Sequence, residues 1–134
     1  MSRENLVEVV RLWWDGINEH GMPPRDLCDE SIVIRNVAEM PDPGPYHGYE
    51  GVREWLTDIF EVIDQARFEL EESLEVGDGE TVVTDQRCLG PARHTGLDVD
   101  FFWTAVWTVR DGRILSAQGY RTHAEALKAP WERR

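Results

Sequence analysis

The 134 residues fit one domain, 1–134, of a size that buries roughly two thirds of its unfolded surface; 41% apolar and 30% charged residues exclude a disordered chain. Fourteen Lys and Arg against 26 Asp and Glu leave a net charge of −12, a field that repels phosphate backbones and anionic lipid and so excludes nucleic acid and membrane as partners. Cys28 and Cys88 are too few and too far apart for a disulfide framework or a zinc motif, and with no apolar h-region in residues 1–10 and no run near about 18 apolar residues the expected location is cytoplasmic.

Residues 3–20 read as a helix, since Leu6, Val9, Val10, Trp13 and Ile17 recur at steps of three and four and Gly21 ends the run. Pro23-Pro24 opens a short segment with one helical turn through Leu27. Ser31 to Val37 reads as a strand, and the three Pro between Glu39 and Gly48 mark a loop. Tyr49 to Gln65 carries the clearest helical stripe, from Val52 and Trp55 through Ile63, with Arg53, Glu54, Asp58, Glu61 and Asp64 facing water.

From residue 68 the period falls to two. Phe68, Leu70, Leu74 and Val76 alternate with Glu69, Glu71, Ser73 and Glu75, and Gly77-Asp78-Gly79 is a turn. Strands follow at Thr81–Leu89, Leu97–Arg110 and Arg113–Arg121, with a polar loop at Gly90–Gly96 and a hairpin signal at Asp111-Gly112. A helical turn from His123 to Lys128 closes the chain. Helices, one strand, a long helix and then an antiparallel meander make an α+β domain with helices on one face of the sheet.

The odd positions of the 97–109 strand, Leu97 to Val109 through Phe101, Trp103, Ala105 and Trp107, are all apolar and face the core or a cavity. Phe102, Thr104 and Val106 on its other face are mixed, which points to a second burial, a homodimer through the outer sheet face, over scattered surface hydrophobes. The last strand has two registers. A strict two-residue loop turns Ile114, Ser116, Gln118 and Tyr120 inward; a three-residue loop with a bulge turns Leu115, Ala117, Gly119 and Arg121 inward.

Three stretches resemble a known family. Tyr46-His47-Gly48-Tyr49-Glu50-Gly51-Val52-Arg53 is similar to the loop-into-helix segment of SnoaL-like proteins, and Glu75-Val76-Gly77-Asp78-Gly79 to their central turn. Residues 105–114, with Tyr120-Arg121 and Ala124-Glu125-Ala126-Leu127, resemble their closing hairpin and C-terminus. The resemblance implies the nuclear transport factor 2-like, cystatin-like cone: a strongly curved antiparallel or mixed sheet wrapped around a pocket and covered by N-terminal helices. It favours the bulged hairpin, with Ala117, Gly119 and Arg121 toward the pocket. The fold hosts several chemistries, so it does not specify function.

Two acid/base sets of such folds are absent by correspondence. The positions of the ketosteroid isomerase base and its two oxyanion donors are Arg35, Trp13 and Ala105. The Arg-x-Asp pair of limonene-epoxide hydrolases falls on Arg87 and Leu89, and their second Asp on Gly119. If Val83, Asp85, Arg87 and Leu89 face inward, Asp85 and Arg87 are same-face neighbours, and with Arg121 they are the catalytic candidates. The competing readings are a structural ion pair or a solvated one.

The expected pocket wall is Trp13, Ile17, Arg35, Trp55, Phe60 and Leu89 from the first half with Trp103, Ala105, Trp107, Ala117 and Gly119 from the second. Four His without ligand spacing predict no metal, and no cofactor is expected. Large indoles beside Ala and Gly suit a small hydrophobic polyketide-, steroid- or terpene-like molecule, with cofactor-free chemistry of the isomerase, cyclase or hydrolase type. The alternative is a non-catalytic dimeric module whose indoles simply fill the cone.

Overall fold

Asn5 accepts the Glu8 amide on its side chain (3.1 Å), and Gly21 closes the run in the left-handed region at φ 83°, so the first helix, α1, spans Leu6–His20. The computed structural model describes residues 5–38, 40–76 and 79–132, with side chains to 128; the expected helical start at Arg3 and Glu4 and the Gly77-Asp78 part of the expected turn lie outside these. A 3-10 turn at Arg25–Leu27 leads into β1, Cys28–Arg35. The Pro-rich connector then holds a two-residue strand, β2 (Tyr46–His47), where a loop is expected from sequence. Helix α2 follows at Gly48–Val62, then β3 (Arg67–Glu75), β4 (Thr81–Pro91), β5 (Asp98–Arg110), β6 (Arg113–Tyr120) and α3 (His123–Glu132). No helix among the described residues is long and apolar enough to cross a membrane.

The six strands form one mixed sheet in the order β2-β1-β6-β5-β4-β3, with β1 parallel to β6 and every other pair antiparallel. This is the α+β architecture expected from the change of period. Helix α2 ends three residues before the expected Gln65. Ile63 is already extended and bridges Ala92, while the Asp64 and Arg93 amides bond to Pro91 and Val62 carbonyls. Those sheet-like bonds compete with the last helical turn and win.

The hairpin between β5 and β6 combines both expected registers. Asp111 (φ 55°) and Gly112 (φ 75°) form a two-residue turn with positive φ at both positions, and Ile114 pairs with Val109 facing inward. The register then slips at Leu115, so that Ser116 pairs with Thr108 and Ala117 with Trp107. The slip is a bulge, and it flips the rest of the strand. Ala117 and Gly119 therefore join Ile114 on the inner face.

On that inner face α1 packs against β3 and β4. Trp13 and Trp14 are both buried, beside Trp55, Phe68, Trp103 and Trp107. Trp14 stacks on Phe68 at 4.7 Å between centroids, and Trp13 meets Trp107 edge-on at 5.5 Å. Each indole removes about 200 Å² from water, on the order of 5 kcal/mol before entropy is charged. Helix α1 is also tied to the sheet edge by one side chain. The Asn18 amide donates to the Phe68 carbonyl (2.8 Å) and accepts the Phe68 amide (2.9 Å), mimicking a neighbouring strand.

The outer face carries α3, which contacts β4, β5 and β6. His123 Nδ1 lies 3.0 Å from Asp85, and Thr104 donates to the same carboxylate (2.8 Å). Thr104 is buried within one chain, and Arg87 lies over the Phe102 ring at 5.6 Å. So α3 and Arg87 supply in one chain part of the burial that the mixed pattern of Phe102, Thr104 and Val106 implies.

Replacing Asn18 by Ala removes two hydrogen bonds and leaves an edge-strand donor and acceptor unpaired, so urea denaturation is expected to show a loss of about 1–3 kcal/mol. The exposed neighbour Leu12→Ala is expected to stay within about 0.5 kcal/mol. Equal losses for the two variants would contradict the edge-pairing role.

Candidate functional site

The tryptophan cluster fills the closed end of the concave face, and open space is left at the other end. A cavity of about 460 Å³ lies between the second half of α2, the connector from Asn36 to Tyr46 and the inner face of β3–β5. Trp55, Phe68, Phe101 and Trp103 give it aromatic walls, and Ile59, Ile63 and Val99 complete the apolar surface. Cys88 also lines it, a buried thiol pushed by burial up to about 12 and so held neutral.

The polar groups gather on the connector side. Trp55 Nε1 donates to Asn36 Oδ1 (2.7 Å), and the Asn36 amide donates to the Asp42 carbonyl (2.9 Å). The Tyr46 hydroxyl lies 3.3 Å from both the Asp42 carbonyl and Asp58 Oδ2, so its one proton serves either acceptor. Burial first, then the charges of Asp42 and Asp58, push the Tyr46 phenol up to about 12, so it stays a neutral donor. Gly51 makes this arrangement possible. A Cβ there would sit 2.7 Å from the Tyr46 carbonyl carbon, so only glycine lets α2 approach β2 this closely.

A second polar system runs along the inner face. Trp107 Nε1 donates to Thr84 Oγ1 (2.7 Å), Thr84 to Gln86 Oε1 (2.6 Å), and Gln86 Nε2 to the Trp103 carbonyl (3.0 Å). Thr84 and Gln86 are fully buried, so the chain satisfies groups that would otherwise cost about 1–3 kcal/mol each. It also orients the Trp107 indole.

The catalytic candidates from sequence lie elsewhere. Gln86 pairs with Trp103 and Val82 with Trp107, so the inner face of β4 is Val82, Thr84, Gln86 and Cys88. Asp85, Arg87 and Leu89 face outward, which corrects the inward assignment. Arg87 is bound there by Glu71 (2.6 Å) and Asp100 (2.8 Å), while Asp85 meets Thr104 and His123. Arg121 is exposed beyond the end of β6, and Arg35, out of phase with buried Ile32 and Ile34, is exposed too. These two arginines and Gly119 border a separate open depression of about 350 Å³. The inward residue at the end of β1 is Asn36 instead of Arg35.

Of the expected wall, Trp55 and Trp103 border the apolar cavity. Trp13, Ile17, Ala105, Trp107 and Ala117 are buried in the packed core, and Phe60 is half-buried on α2 away from the cavity. Tyr46 and Asp58, which the expected wall leaves aside, border the cavity, whereas Gln86 is buried behind it. Asp58 carries the legible signal, standing one helical turn after Trp55 at the edge of the apolar stripe. No three of His, Cys, Asp and Glu come together as a metal set among the described residues.

A family model described as SnoaL-like domain matches residues 10–117. No curated protein matches the chain in sequence. Among solved structures, a protein of unknown function from Burkholderia pseudomallei, described as NTF2-like, is 19% identical, with 93% of this chain and 96% of that one covered and a TM-score of 0.75. A putative SnoaL-like polyketide cyclase from Jannaschia sp. CCS1 is 16% identical, with 96% of both chains covered and a TM-score of 0.69. A Mycobacterium tuberculosis protein in complex with estradiol-17beta-hemisuccinate is 16% identical, with 88% and 94% covered and a TM-score of 0.67. At these identities the likeness is one of fold: the curved cone implied by the loop, turn and hairpin segments.

The buried acids predict an alkaline limit. Burial pushes Cys28 to about 11 and Cys88 to about 12, against an ordinary 9.0, and Tyr46 rises to about 12 from 10.0. Each holds its proton more tightly in the folded state, so its contribution is complete below the ordinary value and is lost as pH rises toward the folded one. The urea midpoint is expected to be level up to pH 9.0 and to fall above it, less steeply in Cys88→Ala. A midpoint unchanged through pH 11 would contradict the burial of the thiols.

Proposed function

The chain belongs to the SnoaL-like domain family, and from that membership and the shape of its cavity we propose that it binds a small hydrophobic ring compound between α2, the Asn36–Tyr46 connector and the inner sheet face. The observation that carries this reading is the segregation of the cavity lining. Trp55, Phe68, Phe101 and Trp103 form flat apolar walls, and Asn36, Tyr46 and Asp58 stand together on one side. Walls of that kind bury a ring system, and grouped polar atoms orient a single substituent. The volume, about 460 Å³, suits a molecule of several fused rings. The steroid derivative held by the Mycobacterium tuberculosis neighbour belongs to the same size class.

Binding is favoured here over catalysis. The Asp85–Arg87 pair is turned to the other face of the sheet, and the Cys88 thiol is held neutral. Asp58, one of the carboxylates of the lining, is engaged by the Tyr46 hydroxyl. Tryptophan emission reports occupancy because Trp55 and Trp103 stand on the cavity wall. Titration with steroids, anthraquinones, terpene epoxides and aromatic ketones is expected to give a saturable quench or blue shift with at least one class. Trp103→Phe is expected to shrink that response. An unchanged spectrum across the whole panel would overturn the reading and leave the cavity as an unoccupied gap in an aromatic core.

A further inference from the structure

We infer that the cavity selects apolar molecules bearing a cationic group, a protonated amine above all, and rejects carboxylates. This rests on the cavity being a ligand site, as proposed above, and concerns the sign of charge it accepts. Three carboxylates, Asp42, Asp58 and Glu61, stand in its lining, and no Lys, Arg or His does so among the described residues. Asp58 Oδ2 meets only the neutral Tyr46 hydroxyl, and Asp42 Oδ1 accepts the Gly44 amide (3.2 Å). No ion pair involving the three is present among the described residues. Several carboxylates outside the cavity do meet cations: Asp64 pairs with Arg93 (3.2 Å), Glu71 and Asp100 with Arg87, and Glu80 with Arg110.

The aromatic walls act in the same direction. Trp55, Trp103, Phe68 and Phe101 line the cavity, and an aromatic ring attracts an ammonium placed over its face within about 6 Å. An amine entering with its apolar body against those walls would place its charge among carboxylates that lack a cation. The net charge of −12 adds a long-range field of the same sign. An anion in the same place would face three solvent-exposed carboxylates with no cation among the lining residues described.

The test uses one apolar cage with three substituents: 1-adamantanamine, 1-adamantanol and adamantane-1-carboxylate, titrated calorimetrically into the intact protein at neutral pH. The amine is expected to bind roughly tenfold more tightly than the alcohol, and the carboxylate more weakly than either. Raising the salt concentration is expected to erode the amine's advantage and leave the alcohol unchanged. Asp58→Asn is expected to lower the ratio of amine to alcohol affinity. Asp42→Asn is the second variant, since it leaves the Tyr46–Asp58 contact in place. Equal binding of amine and alcohol, or tighter binding of the carboxylate, overturns this inference while the pocket stands as a ligand site. No binding by any of the three overturns both.

Discussion

The packing of α1 into the curve of the sheet through Trp13 and Trp14 is the contact on which the rest of this structure depends. Two adjacent residues of a helix are both buried only when the surface around it wraps through a wide arc, and here β3, β4 and β5 supply that arc. The indoles fill the closed end so fully that Trp13 and Trp14 Nε1 find no hydrogen-bond partner among the described residues. Trp13 meets Trp107 edge-on and Trp14 meets Trp103 and Trp107 the same way, an arrangement their quadrupoles favour, while Trp14 stacks on Phe68. Since that end is solid, any space in the cone is displaced toward α2 and the connector, where smaller aliphatic side chains meet a loop.

The division of polar atoms follows from the same packing. A core this rich in indole must accommodate N–H groups, and β4 answers with Thr84 and Gln86 on its inner face, linked in series from Trp107 to the Trp103 carbonyl. Trp55, placed farther out, uses Asn36 instead, and through Asn36 it holds the connector at Asp42. One indole is thus both part of the wall and the fastening of the loop that borders it.

The helices and the inner stripe of β5 from Val99 to Val109 are legible in sequence because their apolar spacing is strong, whereas Leu97, counted in that stripe, precedes the strand and is exposed. The faces of β4 are not legible, since both sets mix apolar and polar residues: Val82, Thr84, Gln86 and Cys88 on one, Val83, Asp85, Arg87 and Leu89 on the other. Its orientation is imposed by pairing with Trp103 and Trp107, a long-range constraint absent from the strand's own pattern. The same holds for β6. The turn type is written in Asp111-Gly112, but the slip at Leu115, which brings Ala117 and Gly119 opposite Trp107 and Ala105, is not. Asp58 is exposed, as its helical spacing implies, but its contact with the Tyr46 hydroxyl twelve residues earlier, brought close through Gly51, is not written in that spacing. Arg35 reads as a pocket residue because a correspondence of positions carries no alternation, and buried Ile32 and Ile34 turn it outward.

Trp55 and Trp103 serve two masters, the folded core and the cavity wall, whereas Met40, Asp42, Asp58, Glu61 and Val62 border the cavity from exposed positions. Substitution of either indole is opposed by the loss of packing that holds the cone together, while the rim residues are exchangeable at little cost to the fold. The floor of the cavity is therefore tied to the stability of the cone, while the charge and size of its rim can change with the scaffold intact.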